Sequence, residues 1–494
     1  MFEDSGRTFI ERLGPLAILA ITLVAVRWGT FTAPPTWDAA MTIWPAGLEM
    51  SARNSISEVL SLPSYAEGGP NSHTLSLITL LSTIFIEIGG IDFAFIAMHV
   101  INSVLLLALG YLVVLTVSEL CSKVTGWLTG AIVVLFPLMV AQSAYLYTEL
   151  PTAFFVFLAV FLSFRGGHRW AILALTVAIL IKPLALVAVP ALAVVVWRKG
   201  GKRREIAAPA LALFGLIPAL LAPQPPPQSS TLLLKLSLVV ETSLAWLMQA
   251  PELILLTLLP VAAYLVLRRR EADREEWDWM WASSTLLATF AGFFALNAVV
   301  TTGHFFIPRY FVMLVGPIMV LLAITVSGLR PRIQVGLLGS LVLLSLIGVR
   351  GPLALGSGSP LAPTAERSLA FLDLLDDHRR GLDRLAKFGS EGTPVFHDHY
   401  ASYAFSYPEL GLHAGGVENA TTVRSGDWGS ELGELPDRFA MLVQLPFLGG
   451  ERLLRVRRLA ESDEGYQVTI ERIGSAEWLP VEVVFVEHLD QRSD

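Results

Sequence analysis

Residues 93–117 read FAFIAMHVINSVLLLALGYLVVLTV, a stretch that contains no Asp, Glu, Lys or Arg. A helix that crosses the hydrocarbon core of a bilayer needs about 20 predominantly apolar residues. The stretch meets this requirement and therefore predicts a transmembrane helix. Similar apolar runs recur on both sides of it as far as residue 349, so the predicted fold class is a polytopic α-helical membrane protein.

The composition supports this fold class and indicates a soluble part at one end. Of the 494 residues, 54% are hydrophobic and 16% are charged, and the mean hydropathy is +0.60. Soluble domains carry about 25% charged residues. The shortage is confined to residues 1–350, which we predict to be a transmembrane domain. A Gly/Ser/Pro-rich linker, 351–363, then leads to a soluble domain, 364–494.

Charge and cysteine content exclude two classes of function. The net charge of −7, with no dense basic face, argues against a nucleic-acid partner. The single cysteine, Cys121, excludes an intramolecular disulfide and a cysteine zinc site.

The apolar runs predict about eleven transmembrane helices. The first run could be a signal peptide, but no clear cleavage site follows it, so we interpret it as an uncleaved anchor. The break at Lys182-Pro183 could instead mark one kinked helix. The predicted spans are 12–30, 93–117, 124–141, 151–164, 169–181, 184–198, 206–222, 251–268, 280–300, 310–327 and 333–349.

The distribution of Lys and Arg favours eleven spans. These residues accumulate in cytoplasmic loops. With a cytoplasmic N-terminus, the inner loops hold sixteen basic residues and the outer side up to residue 349 holds five. Merging the helices at Lys182 would move the basic cluster 198–204 to the outside. We therefore predict an integral protein of the cytoplasmic (inner) or cell membrane, with the C-terminal domain extracytoplasmic.

Several segments are predicted not to span the bilayer. The first outer loop, 31–92, includes an apolar stretch, 76–88, that is too short to cross and fits an interfacial helix, as does 230–250. The aromatic run 277–281 fits an anchor at headgroup level.

The C-terminal domain is predicted to be a small α/β domain. An amphipathic pattern from Glu366 to Phe388 indicates a helix, and short β-rich runs follow it. These runs lie at 394–396, 439–445, 466–473 and 481–486.

The ionisable residues of the membrane domain collect at predicted outer helix ends and outer loops. A transporter normally places such residues inside its spans, near the midplane. A site at the outer membrane–water interface suits a substrate that is half lipid and half polar. The residues are Asp38, Glu49, Glu58, Glu67, His73, Glu149, Lys182, His304 and Arg309.

Four motifs resemble the GT-C glycosyltransferases, in the branch of protein O-mannosyltransferases and lipid A aminoarabinose transferases (glycosyltransferase family 39). The first is PPTWD, residues 34–38, directly outside the first predicted helix. The second is GGPNSH, 68–73, before the short apolar helix. The third is YTELP, 147–151, followed by Lys182-Pro183, and the fourth is PRY, 308–310. They occur in the family's order and on the expected side.

The resemblance implies a GT-C-like fold and an inverting glycosyltransferase. Its donor would be a polyprenyl-phosphate sugar, and its acceptor an extracytoplasmic protein, lipid or glycan, with membrane lipid around it. Asp38 would be the catalytic base, and Lys182, Arg309 and Tyr310 would bind the donor phosphate.

Other residues and other functions stay open at this stage. Glu67, His73 and Glu149 are further candidate site residues. The family usually has a second acid after the first, where this chain has Ala39, so a divalent metal is left unassigned. A transporter or flippase for a lipid-linked substrate is one alternative, and a non-catalytic protein derived from such a transferase is another. The pair His397 and His399 lacks an evident third metal ligand.

Overall fold

The architecture comes from a computed structural model that describes most of the membrane domain and the core of the C-terminal domain. The described residues are 3–36, 39–53, 76–217, 255–300, 308–349, 369–397, 404, 407–412, 420–422, 437–444, 466–473 and 481–488.

The described part of residues 1–349 is helical. Short 3-10 helices at Pro183–Ala188, Ala208–Leu216 and Pro308–Leu314 lie between or before the α-helices. The α-helices of this part are α1 (Glu3–Val26), α2 (Trp44–Arg53), α3 (Leu77–Leu120), α4 (Lys123–Leu135), α5 (Pro137–Ala144), α6 (Glu149–Phe164), α7 (His168–Ile181), α8 (Val189–Arg198), α9 (Arg203–Ala207), α10 (Leu255–Arg269), α11 (Arg274–Val300), α12 (Val315–Val326) and α13 (Pro331–Gly348).

Several of these helices suit a membrane. Among the described residues, three helices are long and apolar enough to span one: Leu77–Leu120, Arg309–Val326 and Pro331–Gly348. The pair α4 and α5, bent by 48° at its break, would make a fourth. Shorter apolar helices include α6 and α7. The apolar helices agree with an integral membrane protein, while the number eleven stays a prediction.

Proline and glycine set the breaks between helices. α7 ends at Ile181 and Lys182 is extended, with φ −148° and ψ 117°, because the residue before a proline disfavours the helical conformation. The helix break predicted at Lys182-Pro183 is therefore present. Gly90 has φ +78° and divides α3 into the short apolar segment predicted before it and the long span after it. The single span predicted at 124–141 is instead bent at Pro137.

Small residues let α3 and α4 pack closely. Gly126 and Gly130 are four residues apart on α4. A Cβ atom on Gly130 would lie 2.8 Å from the carbonyl oxygen of Gly110 on α3 and 2.3 Å from the Val114 side chain. Within a membrane, helix association depends on such close backbone approach.

The loops predicted to be cytoplasmic meet at one end of the helices. Arg165, after α6, pairs with Glu119 near the end of α3. Arg198, at the end of α8, pairs with Asp278, and Arg274 donates to the carbonyl oxygen of Arg198. These contacts bring together loops whose common side was inferred from charge.

The aromatic run 277–281 is only in part an anchor. Trp281 is exposed, as an anchor at a membrane interface would be. Trp279 is buried and stacks on Phe164 of α6, with ring centroids 4.0 Å apart. The interpretation of the whole run as a headgroup anchor is therefore wrong for Trp279, which packs between helices.

The described C-terminal domain is one helix on a five-stranded sheet. α14 (Ala370–Ser390) packs on a sheet of order β2-β1-β3-β5-β4. β1 is parallel to both of its neighbours, β2 and β3, whereas β5 is antiparallel to both of its neighbours, β3 and β4. The strands are β1 (Val395–His397), β2 (Ala420–Thr422), β3 (Arg438–Gln444), β4 (Tyr466–Ile473) and β5 (Val481–His488).

Two contacts and one buried histidine characterise the C-terminal domain. Phe388 stacks on Phe485, which joins α14 to β5. Burial of His378 on α14 lowers the pKa of its imidazole to about 3, so the side chain is neutral in the folded domain near pH 7. The Tyr407 hydroxyl lies 3.2 Å from Oε1 of Glu49 on α2, which connects this domain with the first long loop.

We expect the α3–α4 contact to be sensitive to a single methyl group. Gly130→Ala should lower the midpoint of thermal unfolding of the detergent-purified protein, because the new Cβ atom would overlap α3. The matched control is Gly336→Ala on α13, where no atom lies within 4 Å of the new Cβ. That change should be neutral or stabilise by up to about 1 kcal/mol. Equal midpoints for the two variants would contradict the close approach.

Candidate active site

A strained turn leads into the helix that carries Glu149. α5 ends at Ala144, and Leu146 then has φ +58°, which a residue with a side chain rarely adopts. Tyr147 and Thr148 follow, and α6 begins at Glu149. All residues from Tyr145 to Glu149 are buried. Such strain persists only where the surrounding structure holds it, and it is frequent at functional sites.

Glu149 and Lys182 meet because α6 and α7 form a helical hairpin. A short connection links the two helices, which pack against each other. The beginning of α6 therefore lies beside the end of α7. Nζ of Lys182 is 2.5 Å from Oε1 of Glu149. The N-terminal position on α6 also suits a carboxylate, since the helix dipole is positive there.

Arg309 reaches the same carboxylate from a distant part of the chain. It lies on the 3-10 helix Pro308–Leu314, directly before α12. Its Nε is 3.1 Å from Oε1 of Glu149. α12 approaches α6 closely, because a Cβ atom on Gly316 would lie 2.5 Å from the Phe157 ring. Bulkier residues at position 316 would push Arg309 away from Glu149.

Two tyrosines flank the cations. Cζ of Arg309 lies 4.6 Å from the ring centroid of Tyr147 and 5.7 Å from that of Tyr310. Nζ of Lys182 lies 4.6 Å from the Tyr310 ring. An aromatic face attracts a cation, and more strongly when water is excluded. We call Tyr147, Glu149, Lys182, Arg309 and Tyr310 the Glu149 cluster.

The Glu149 cluster is shielded from solvent. The exposed fractions of the side chains are 6% for Glu149, 11% for Lys182 and 3% for Arg309. The charges of these three side chains sum to +1. Moving charges out of water is costly, so a buried group of this kind is weak evidence of a purely stabilising role. It is suited to holding an anion of complementary shape.

The first long loop is attached next to this cluster. The Thr36 hydroxyl donates to the carbonyl oxygen of Tyr145 at 3.3 Å, and the Tyr145 ring lies 5.9 Å from that of Tyr147. The backbone N–H of Ala39 donates to the Thr36 carbonyl at 2.9 Å. The two residues between them, Trp37 and Asp38, lie outside the described residues.

The predicted site residues fall into two groups. Glu149, Lys182, Arg309 and Tyr310 are brought together. Asp38, Glu67 and His73 lie outside the described residues, and their roles stay predictions. Glu149 was only a further candidate on sequence grounds, yet it contacts both cations.

The structure adds residues that the sequence reasoning missed. Tyr147 was part of a quoted motif but had no assigned role, and it lies under Arg309. Arg27, counted as an outer basic residue, is instead fully buried against His99. The available signal was His99 itself, because a polar residue within an apolar span usually has a partner.

No metal ligands cluster in the described part of the chain. No group of three or more His, Cys, Asp or Glu side chains among those residues could hold a metal ion. His397 is buried in β1, and His399 lies outside the described residues.

The comparison with solved structures found chains that are similar to this one. No protein-family model matches the chain, and no curated protein matches it by sequence. The chain is similar to the crystal structure of ArnT from Cupriavidus metallidurans in the apo state, with 12% sequence identity and a TM-score of 0.49. The match covers 96% of this chain and 98% of that chain. At this identity the match assigns no role to any residue of this chain.

We expect Glu149 to be needed for stability as the shared counter-ion. Glu149→Gln keeps the shape but leaves two adjacent buried cations, so it should cost about 3–5 kcal/mol. The matched control is Glu119→Gln, because Glu119 pairs with Arg165 in a 46% exposed position. Exposed pairs contribute about 1 kcal/mol or less. Thermal unfolding of the detergent-purified proteins measures the loss of stability in each variant. Equal losses of stability would contradict the shared role of Glu149.

Proposed function

We propose that the chain is an inverting glycosyltransferase that moves a sugar from a polyprenyl-phosphate carrier to an extracytoplasmic acceptor. The observation that carries the proposal is the Glu149 cluster, in which Lys182 and Arg309 converge on one shielded carboxylate oxygen. This arrangement lies at the ends of apolar helices, where a lipid-linked anion can bring its phosphate while its chain stays in the bilayer.

The donor chemistry requires cations more than acids. When the sugar leaves its carrier, the bond between the anomeric carbon and the phosphate oxygen breaks, and the carrier departs as a phosphate anion. A stable anion needs no proton donor, but it needs charge stabilisation. Lys182 and Arg309 supply this in a shielded setting, where electrostatic stabilisation is stronger than in water.

Glu149 fits this chemistry as an organising residue. An ammonium group has three N–H donors and a guanidinium has five, so one contact with Glu149 does not use up either cation. Its Oε1 fixes the separation of the two cations before the donor arrives. A pre-organised site avoids reorganisation when charge develops. We assign Glu149 to positioning, and Lys182, Arg309 and Tyr310 to donor binding.

The acceptor requires a base, and we propose Asp38. The acceptor oxygen forms the new bond to the anomeric carbon, and its proton passes to the carboxylate of Asp38. Asp38 lies two residues after Thr36, which is attached to Tyr145 beside the cluster. Two residues extend at most about 7 Å. Displacement from the face opposite the phosphate inverts the anomeric centre through an oxocarbenium-like transition state.

The charges at the two ends of α6 support the proposed orientation in the membrane. Glu149 begins this helix, and Arg165 follows its last residue among loops rich in Lys and Arg. Basic loops favour the cytoplasmic side. About 24 Å of helix separates the two ends. This supports an extracytoplasmic Glu149 cluster and a cytoplasmic N-terminus.

Donor binding should depend on both cations of the cluster. Arg309→Ala and Lys182→Ala should each weaken binding of a short-chain polyprenyl phosphate by about 10- to 100-fold, because hydrogen bonds to charged groups contribute about 1.5–3 kcal/mol. The matched control is Arg165→Ala, since Arg165 also pairs with a carboxylate and lies over an aromatic ring, Phe161, at the other end of α6. Binding is measured by titration calorimetry in detergent. Unchanged affinity in both variants would refute the donor site.

Turnover should depend on Asp38 separately from donor binding. Asp38→Asn keeps the shape but cannot accept the proton, so transfer should slow by about 100-fold or more. Affinity for the polyprenyl phosphate should remain within about twofold, because the cations are intact. Single-turnover transfer from a polyprenyl-phosphate sugar to an acceptor extract measures the rate. Normal turnover would exclude Asp38 as the base, and a transporter or flippase would give no transfer with the wild-type protein.

A further inference from the structure

We propose that Arg27 and His99 are positioning residues that hold the segment 30–36, which leads to the proposed base Asp38. The inference rests on the proposed function, because it assigns the surroundings of the proposed base. It concerns a second buried polar group, separate from the Glu149 cluster. Its members come from the end of α1 and the middle of α3.

The guanidinium of Arg27 is the centre of this group. Arg27 is fully buried, and its Nη1 donates to the Ser103 hydroxyl at 2.5 Å and to the His99 carbonyl at 3.3 Å. Its Nη2 lies 3.0 Å from Nδ1 of His99. Its Nε donates to the Thr30 hydroxyl at 3.3 Å, and the guanidinium lies 4.8 Å from the Phe31 ring centroid. One buried cation therefore joins α3 to the residues directly after α1.

The hydrogen bonds of His99 determine its tautomer. Arginine has no acceptor, so Nδ1 of His99 must accept from Arg27. Nε2 then carries the proton in the neutral ring, and it lies 3.0 Å from the carbonyl oxygen of Ala33. The ring thus accepts on one side and donates on the other. The ring therefore links Arg27 to the backbone at Ala33.

The held segment leads directly to the proposed base. Ala33 is bound by His99, and Thr36 is bound to the Tyr145 carbonyl. Ala39 and Ala40 both donate to the carbonyl oxygen of Thr36 and are themselves buried. The chain is therefore anchored on both sides of Asp38. A base must lie within hydrogen-bond reach of the proton that it accepts, so its backbone position matters for the rate.

A purely structural role does not account well for these residues, because burying them costs free energy. A buried guanidinium has a large desolvation cost, and a well-packed apolar pair of similar volume is often as stable or more stable. A positioning role accounts for the same contacts, because they fix three points of one segment: Thr30, Phe31 and Ala33. Tyr145 fixes a fourth point, Thr36. The two roles predict different kinetics.

The test compares three substitutions on α3. His99→Phe keeps an aromatic ring but removes both ring nitrogens. His99→Gln restores one acceptor and one donor, as the neutral imidazole has. Asn102→Leu is the matched control, because Asn102 is fully buried one turn further along α3 and its amide has no hydrogen-bond partner in the part of the chain that the structure describes.

We expect His99→Phe to lower the transfer rate by about 10-fold or more, while affinity for a polyprenyl phosphate stays within about twofold. His99→Gln should recover most of the rate, and Asn102→Leu should leave it near the wild-type value. In an Asp38→Asn background, His99→Phe should cause no further loss, because the aimed group is already absent. Multiplied losses in the double variant would overturn the positioning role.

A second measurement does not depend on activity. Hydrogen exchange of a peptide covering residues 28–43 should be faster in His99→Phe than in the wild type, since the hydrogen bond that anchors Ala33 is lost. Thr36→Val, which removes the other anchor, should have the same effect if His99→Phe fails to fold. Unchanged exchange in these variants overturns the inference. If exchange rises but the wild-type protein transfers no sugar, the proposed function fails while the anchoring of the segment stands.

Discussion

One carboxylate oxygen organises the membrane half of this protein. Oε1 of Glu149 contacts Lys182 from the end of α7 and Arg309 from the segment before α12. These residues are far apart in sequence, so the contact requires the packing of α6 against both α7 and α12. The close approach of Gly316 to Phe157 permits the second of these contacts. The geometry of the Glu149 cluster therefore depends on how α6 packs against α7 and α12.

The arrangement separates two tasks that a transferase must perform. The Glu149 cluster holds positive charge in fixed places, and the Arg27–His99 group holds a backbone segment. Tyr145 connects them, because its carbonyl binds Thr36 and its ring lies against Tyr147. Each group is shielded from water, and electrostatic interactions are stronger in such a shielded setting than in water. In the proposed reaction, one group stabilises the leaving carrier and the other places the base.

Local sequence patterns predicted the helix boundary at one proline and missed the boundary at another. The break at Lys182-Pro183 and the end of α7 follow from the conformation that proline imposes on its neighbour. β4 follows from a run in which apolar and polar residues alternate over 466–471. β2 was missed, although β1, also of three residues, was predicted. The bend at Pro137 divides a run that looked like one span.

The residues of the site were predictable as a set, but their contacts were not. Charge sidedness placed Glu149, Lys182 and Arg309 on one side of the membrane, and the structure brings them together. Which cation contacts which carboxylate oxygen depends on long-range packing. Local sequence patterns carry no information about that packing. The positive φ of Leu146 has no sequence signal, because leucine rarely adopts it. Arg27 resembled a loop residue, and only its burial against α3 revealed a partner.

The order in which the chain is made gives the shared carboxylate a second consequence. Glu149 and Lys182 are 33 residues apart in one helical hairpin, so they can neutralise each other as soon as that hairpin enters the membrane. A paired acid and base cost far less to insert than two separate charges. Arg309 is synthesised much later and joins a pair that already exists. A neutral hairpin would therefore form first, and the net positive charge of the Glu149 cluster would arise only when Arg309 docks.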